Sequence, residues 1–183
     1  MSRIGKKIIT LPKGVEVKLD KSSITVKGPK GSLTQVINPD MKINSQEGIL
    51  TISRPTEQKR HKALHGLTRA LINNMVVGVT AGFTKQMELV GVGYRVSNTG
   101  NLLEMSIGYS HSIMFYIPSE LKLETLTEKG QNPKIILKGS DRQLIGQICA
   151  KLRSFKVPEP FKGKGIKFTG EVLRRKAGKS AGK

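Results

Sequence analysis

Apolar and polar residues alternate in short runs through the first fifty positions of the chain. Turn residues separate the runs, and the segment Gly28-Pro29-Lys30-Gly31 is the strongest turn signal among them. Alternation with a period of two is typical of strands that bury one face. The sequence therefore predicts a small, mainly antiparallel sheet, with strands at residues 15–19, 24–27, 32–37, 41–44 and 49–53.

The period then changes to one typical of a helix. A helix is expected to open at Pro55-Thr56, and Gly78 and Gly82 are expected to end it. Apolar residues recur at spacings of three and four, which predicts one buried face. The predicted buried positions are Leu64, Leu67, Leu71 and Met75.

The same order of elements begins again at Phe83. Further strand-like runs lead to Gly139-Ser140-Asp141, which is expected to cap a second helix. At an offset of 81 residues the apolar pattern of the first helix coincides with that of the second. The predicted fold class is α+β, with two tandem, structurally similar domains, each a small mainly antiparallel sheet packed with one helix. The expected domains are residues 1–82 and 83–183, the second carrying a basic C-terminal extension at 151–183.

Positive charge is distributed unevenly over this plan. The chain has a net charge of +19, of which residues 1–82 carry +9, residues 83–150 only +1 and residues 151–183 again +9. Such a charge favours a polyanionic partner, in the first place nucleic acid. An anionic membrane is less favoured, and no apolar run approaches the roughly 20 residues that a span needs.

The N-terminal residues have no pattern of a signal or transit peptide, and Cys149 is the only cysteine. A reducing compartment is therefore expected, and the cytoplasm in particular.

Candidate catalytic motifs fail on their spacing. Gly178-Lys179-Ser180 lacks the earlier glycine of a phosphate-binding loop, and Gly91-Val92-Gly93 lacks the third glycine of a dinucleotide fingerprint. His61 and His65 have no third ligand nearby, and Cys149 falls on the apolar stripe of the second helix. The prediction is a protein without catalysis, metal, cofactor or small-molecule substrate.

The extension mixes cations with glycine, proline and phenylalanine. Pro158 and Pro160 are expected to extend the backbone, and residues 161–168 alternate, so that Lys162 and Lys164 point one way. The two glycines there would let backbone N–H groups approach phosphates. Its aromatic side chains are expected to pack on the second domain rather than stack on bases. A solvated flexible tail is the alternative.

Several long motifs resemble the bacterial large-subunit ribosomal protein six family. They are MSRIGKK, ITVKGPKG, RPTEQKRHKALHGLTRALINNMVVGV, ELVGVGYRV, SIGYSH and KVPEPFKGKGIKF with GEVLRRKAGK, and together they span essentially the whole chain. Phe161 and Phe168 stand where the family has tyrosine, so each lacks a hydroxyl group. The resemblance implies duplicated α+β domains bound to large-subunit rRNA in the bacterial ribosome. It also implies a place near the stalk base, beside neighbouring ribosomal proteins and translation factors.

The resemblance implies that the second domain and its extension grip the RNA. The expected contacts are Lys156, Lys162, Gly163, Lys164, Gly165, Lys167, Arg174, Arg175, Lys176 and Lys179. Weaker candidates in loops of the second domain are Tyr94, Arg95, Tyr109, Ser110 and His111. In the first domain, Lys62, His65 and Arg69 share the helix face opposite the leucines, and this face is expected to be solvated or to face phosphate.

Two other classes of function stay open at this point. One is a free-standing RNA chaperone or regulator that exchanges between targets. The other is an enzyme acting on nucleic acid, which would need a cluster of carboxylates or histidines that the sequence does not offer.

Overall fold

A computed structural model describes residues 4–20, 22–46, 48–128 and 130–178 of the 183-residue chain. Within these ranges the chain divides into two compact units. The first comprises residues up to Phe83 together with Ser140–Arg142, and the second comprises Thr84–Gly139 and the residues from Gln143 onwards. Lys179 lies outside the described residues.

Six strands and a helix build the first unit. One sheet was predicted here, but the strands form two antiparallel three-stranded sheets with the orders β1-β6-β5 and β2-β3-β4. The predicted hairpins and the turn at Gly28–Gly31 are present. The elements are β1 (Ile9–Thr10), β2 (Glu16–Leu19), β3 (Ser23–Gly28), β4 (Gly31–Val36), β5 (Lys42–Gln46), β6 (Ile49–Ser53) and α1 (Lys59–Thr80).

Met75 is buried as predicted, but the rest of the buried face of α1 differs from the prediction. Leu67 is 54% exposed, while Ile72 is 1% exposed and lies in the core with Val76 and Val79. The reason is that two polar residues, His65 and Thr68, are also buried, so hydrophobicity alone gave the helix the wrong phase. Gly78 is buried inside the helix, and the end comes at Thr80, where the N–H of Gly82 donates to the carbonyl of Val77.

The second unit repeats the order of strands and then a helix, with one strand added after the helix. Two sheets form, with the orders β10-β9-β8 and β11-β12-β7-β13. The elements are β7 (Phe83–Val90), β8 (Arg95–Thr99), β9 (Leu102–Ser106), β10 (Ile113–Tyr116), β11 (Lys122–Leu126), β12 (Lys134–Gly139), α2 (Arg142–Phe155) and β13 (Gly165–Phe168).

The core face of α2 is closer to the prediction. Ile145, Cys149 and Leu152 are buried, each at 1% exposure or less. Burial raises the pKa of the Cys149 thiol above its ordinary value, because the charged form would lose its hydration. The interpretation of Cys149 as a core residue is confirmed.

The phase of α1 gives a matched pair of substitutions. Ile72→Ala should lower the free energy of unfolding of the first unit by about 2–4 kcal/mol, because it leaves a cavity in a packed core. Leu67→Ala, on the exposed side of the same helix, should change it by less than about 1 kcal/mol. Hydrogen exchange of the β3 amides in urea measures both. A larger loss of unfolding free energy from Leu67→Ala than from Ile72→Ala would show that Leu67 lies on the buried face, as predicted from hydrophobicity.

Candidate nucleic-acid interface

Part of the extension, the segment Gly165–Phe168, joins the sheet instead of forming a free tail. Strand β13 lies antiparallel to β7, with Gly165 opposite Val90 and Phe168 opposite Met87. Ile166 between them is completely buried, and its N–H donates to the carbonyl of Lys156 over 2.8 Å. Residues 161–168 were expected to be extended throughout, but a turn occupies 160–162 and only Gly165–Phe168 forms a strand.

An ion pair joins the extension to α2. The two terminal guanidinium nitrogens of Arg153, Nη1 and Nη2, donate to the Glu171 carboxylate at 2.9 and 2.8 Å. The N–H of Phe168 donates to the same carboxylate at 3.1 Å. The hydrogen bonds from Arg153 hold the pKa of Glu171 below its ordinary value. The Arg153 guanidinium also lies 5.9 Å from the centroid of the Phe168 ring. Arg153 therefore fixes the chain on both sides of Gly170.

Lys167 was predicted to contact phosphate, but its charge is neutralised within the unit. Its ammonium lies 2.7 Å from the Glu88 carboxylate on β7, and the two side chains are only 21% and 15% exposed. This contact ties β13 to its neighbour strand. Little of the charge is available to an external anion.

The two glycines of the extension serve the backbone path. Gly165 has φ of +139°, and a Cβ there would lie 2.7 Å from the Cα of Pro158 and 2.9 Å from the carbonyl oxygen of Lys156. Gly163 has φ of +74°, in the left-handed region that favours glycine. Both residues are buried. Their burial gives no support to the expected direct approach of their N–H groups to phosphate.

Five other predicted cations of the extension are exposed, and contacts of their segments bring them near one another. The N–H of Lys176 donates to the carbonyl of Pro160 over 2.8 Å, which draws the last described segment alongside the turn. A guanidinium nitrogen of Arg175 lies 3.5 Å from the point where a Cβ on Gly163 would be. None of these cations forms an ion pair with a carboxylate of the described residues. We call this set the cationic edge: Lys162, Lys164, Arg174, Arg175 and Lys176.

A predicted loop of the second unit meets the start of the extension. The hydroxyl of Tyr109 donates to the carbonyl of Phe155 over 2.9 Å, and the Lys156 ammonium lies 4.4 Å from the centroid of the Tyr109 ring. The ring of His111 is nearly parallel to that of Tyr109, with an interplanar angle of 19° and centroids 6.2 Å apart. We call Tyr109, His111 and Lys156 the aromatic corner.

Tyr94 has a packing role in the neighbouring loop. Its ring covers Gly91 so closely that a Cβ there would lie 2.6 Å from a ring carbon, and it also approaches Gly108. Tyr94 therefore holds two loops together, whereas the nearby candidates Arg95 and Ser110 are exposed.

His65 was predicted to face solvent or phosphate, and this prediction is wrong. His65 is 3% exposed, with Nε2 2.9 Å from the carbonyl oxygen of Ile52 and Nδ1 2.9 Å from a guanidinium nitrogen of Arg54. A guanidinium only donates, so Nδ1 accepts and the proton of the neutral ring lies on Nε2. A Cβ on Gly5 would lie 2.5 Å from this ring.

The other two candidates of the first unit have partners within that unit. Lys62 lies 3.4 Å from the carboxylate of Glu57, and Nε of Arg69 donates to the carbonyl of Lys7 over 3.2 Å. Both remain partly exposed. The two histidines of α1 do not converge either, because His61 contacts the hydroxyl of Thr56 at 2.6 Å while His65 contacts Arg54.

Comparison with known proteins places the chain in a family. The model of the family described as Ribosomal protein L6 matches residues 11–82 and again residues 90–169. The chain belongs to the ribosomal protein L6 family.

Relatives match over their full length. The chain is 60% identical to the large ribosomal subunit protein uL6 of Parabacteroides distasonis over 183 residues, covering all of both chains. It is 56% identical to the protein of the same name from Cytophaga hutchinsonii and 54% to that from Porphyromonas gingivalis, again over all of each chain. These matches confirm the resemblance drawn from the motifs.

Membership of the L6 family also bears on two predictions, one about the fold class and one about catalysis. The two matched segments correspond to two tandem units, which confirms the α+β class with similar domains. The family is one of ribosomal proteins rather than enzymes, so the prediction of a non-catalytic protein is confirmed.

Neither helix in the described residues is both long and apolar enough to cross a bilayer.

Sequence reasoning missed the residues that hold the cationic edge in place. Arg153, Glu171 and Glu88 were not singled out, although Glu171 is one of only two acids in residues 151–183. A carboxylate within a strongly basic segment is a signal for an internal ion pair, and it could have identified Glu171. Nothing local marks Glu88 as the partner of Lys167.

The Arg153–Glu171 pair makes the stability of the second unit depend on pH. Since the folded pKa of Glu171 is lowered, its stabilising effect is present above the ordinary glutamate value and is lost as the pH falls through the folded pKa. Glu171→Gln should lower the free energy of unfolding by about 1–2 kcal/mol at pH 7. The difference from wild type should disappear in acid. All three tyrosines lie in the second unit, so tyrosine fluorescence during urea unfolding reports it.

Glu104→Gln is the matched control, because Glu104 is an exposed acid on β9 of the same unit. It should change the free energy of unfolding by less than about 0.5 kcal/mol at either pH. A Glu171→Gln effect of the same size at pH 3 as at pH 7 would contradict the role of the carboxylate charge.

Proposed function

We propose that this protein binds large-subunit rRNA through the cationic edge of its second unit and thereby stabilises the RNA structure used in translation. The observation that carries the proposal is the set of five exposed cations, Lys162, Lys164, Arg174, Arg175 and Lys176, without carboxylate partners among the described residues. Unpaired like charges held close together repel one another, and a chain of phosphates is the partner that relieves this repulsion.

The architecture suits contacts with the RNA backbone more than readout of bases. Lysine acts as a point charge that neutralises phosphate without sequence information, and arginine can donate two parallel hydrogen bonds to one phosphate. Strand β13 and the Arg153–Glu171 pair fix the backbone that carries these side chains. Binding then has to order side chains only, which lowers its entropic penalty.

The comparisons support the choice of RNA. Relatives that match along their whole length carry the name large ribosomal subunit protein, so the polyanion we propose is the rRNA of a bacterial large subunit in the cytoplasm. A position near the stalk base and the factor-binding region is proposed from the resemblance of the motifs. Neighbouring ribosomal proteins and passing translation factors would then be its protein partners.

Charge removal tests the proposal more cleanly than truncation. Ending the chain at Phe155 would delete β13 and the buried Ile166, so a loss of binding could reflect unfolding. The double variant Lys162→Gln/Lys164→Gln removes two exposed charges and leaves the sheet intact. Its control, Lys122→Gln/Lys134→Gln, removes two charges from β11 and β12 of the same sheet.

The wild-type chain should lose affinity for large-subunit rRNA with a log–log salt slope of roughly −4 to −7, as expected for six to eight phosphate contacts. Lys162→Gln/Lys164→Gln should weaken binding roughly tenfold and reduce the magnitude of the slope by about 1.5. Filter binding across a salt series measures both quantities. The control pair should bind within about twofold of wild type.

Equal losses from the two double variants, or a wild-type slope near zero, would contradict the cationic edge as the binding surface. Fractionation distinguishes a ribosomal component from a free-standing RNA chaperone or regulator. The former should remain with large subunits through a moderate-salt wash, whereas the latter should be released.

A further inference from the structure

The aromatic corner has features that phosphate neutralisation does not use. The Tyr109 ring is anchored at its outer end, where its hydroxyl donates to the carbonyl of Phe155 over 2.9 Å. Phe155 is itself held by an edge-to-face contact with Phe115, at 5.6 Å between centroids. Tyr109 therefore has little freedom to turn, although 48% of its surface is exposed.

The loop that carries the corner is held at its base as well. The hydroxyl groups of Ser106 and Ser112 lie 3.3 Å apart across the ends of the loop, and the Tyr94 ring lies 3.4 Å from the Cβ position of Gly108. Bracing at the base of the loop and at Tyr109 restricts the backbone that carries the side chains between them. His111 is one of these side chains, and it is exposed.

The two rings and the cation form an ordered sequence of groups. The Lys156 ammonium lies 4.4 Å from the centroid of the Tyr109 ring, and the exposed His111 ring lies nearly parallel to that ring with 6.2 Å between centroids. An exposed aromatic ring and an ammonium that both lie beside Tyr109 match a nucleotide, which offers a flat base and a phosphate. In a duplex, the faces of a paired base are covered by its neighbours, so only an unpaired base fits this surface.

We propose that His111, supported by Tyr109, stacks on one unpaired nucleobase of the bound RNA, with Lys156 contacting a phosphate beside that base. This inference rests on the proposed function and adds a class of ligand to it. The cationic edge binds backbone of any sequence, whereas the aromatic corner selects a place where the RNA has an unpaired nucleotide. The competing explanation is structural: the corner would only anchor the extension to the loop.

Three variants of the full chain separate these explanations. His111→Ala removes the outer ring and leaves the Tyr109–Phe155 hydrogen bond intact. His111→Phe keeps a stacking surface without ring nitrogens. Tyr116→Ala is the control, because Tyr116 is 66% exposed and lies at the other end of the same hairpin, opposite Leu102.

The measurement is binding to deproteinised large-subunit rRNA, followed by ultraviolet crosslinking and by chemical probing of unpaired bases. We expect His111→Ala to weaken binding roughly tenfold with an unchanged salt slope, and His111→Phe and Tyr116→Ala to bind within about threefold of wild type. Wild type should crosslink at His111 to a nucleotide that is reactive in free RNA and protected in the complex. His111→Ala should lose that protection alone.

The inference is overturned if His111→Ala binds as well as wild type, if His111→Phe is as weak as His111→Ala, or if adducts at His111 fall on paired nucleotides. Its failure is distinguishable from failure of the proposed function. If His111→Ala has no effect while Lys162→Gln/Lys164→Gln still weakens binding, only the stacking site is lost. If neither has an effect, the proposed RNA-binding surface itself is wrong.

Discussion

Antiparallel hydrogen bonds join Gly165–Phe168 to the strand Phe83–Val90, and the placement of the cationic edge on either side of this segment depends on that pairing. Ordering this backbone costs conformational entropy, and mutual repulsion of the cations opposes it further. Burial of the Ile166 side chain and the ion pairs of Arg153 and Lys167 act against both.

Neighbours, rather than residue type, decide what each cation of the extension does. Lys167 faces Glu88 and joins two strands, whereas Lys162 and Lys164 have the same side chain but face solvent. Arg153 is bound by Glu171 and covers Phe168, while Arg175 lies beside a glycine without a carboxylate. Two glutamates thus separate the cations that hold the fold from the cations available to RNA.

Features set by local chemistry were predictable from the sequence, and features set by distant contacts were not. The turn at Gly28–Gly31 and the hairpins beside it depend on neighbouring residues, and they were found. Apart from Met75, the buried face of α1 was predicted wrongly, because His65 is polar by type but satisfies both ring nitrogens inside the unit. The pairing of Gly165 with Val90 and of Lys167 with Glu88 joins remote segments, which no periodicity reveals. For the site, the cations were predictable, but their division into internal and external groups was not.

If the unit itself orders the cationic edge before any RNA is bound, hydrogen exchange of the free protein will show it. The amides of Ile166, Thr169 and Lys176 each donate to a backbone carbonyl, of Lys156, Gln86 and Pro160 respectively. Without RNA, the amides of Ile166 and Thr169 should exchange as slowly as those within β7, and the amide of Lys176 should also be protected. Exchange of all three at the rate of an unfolded chain, with protection only after rRNA is added, would contradict this prediction.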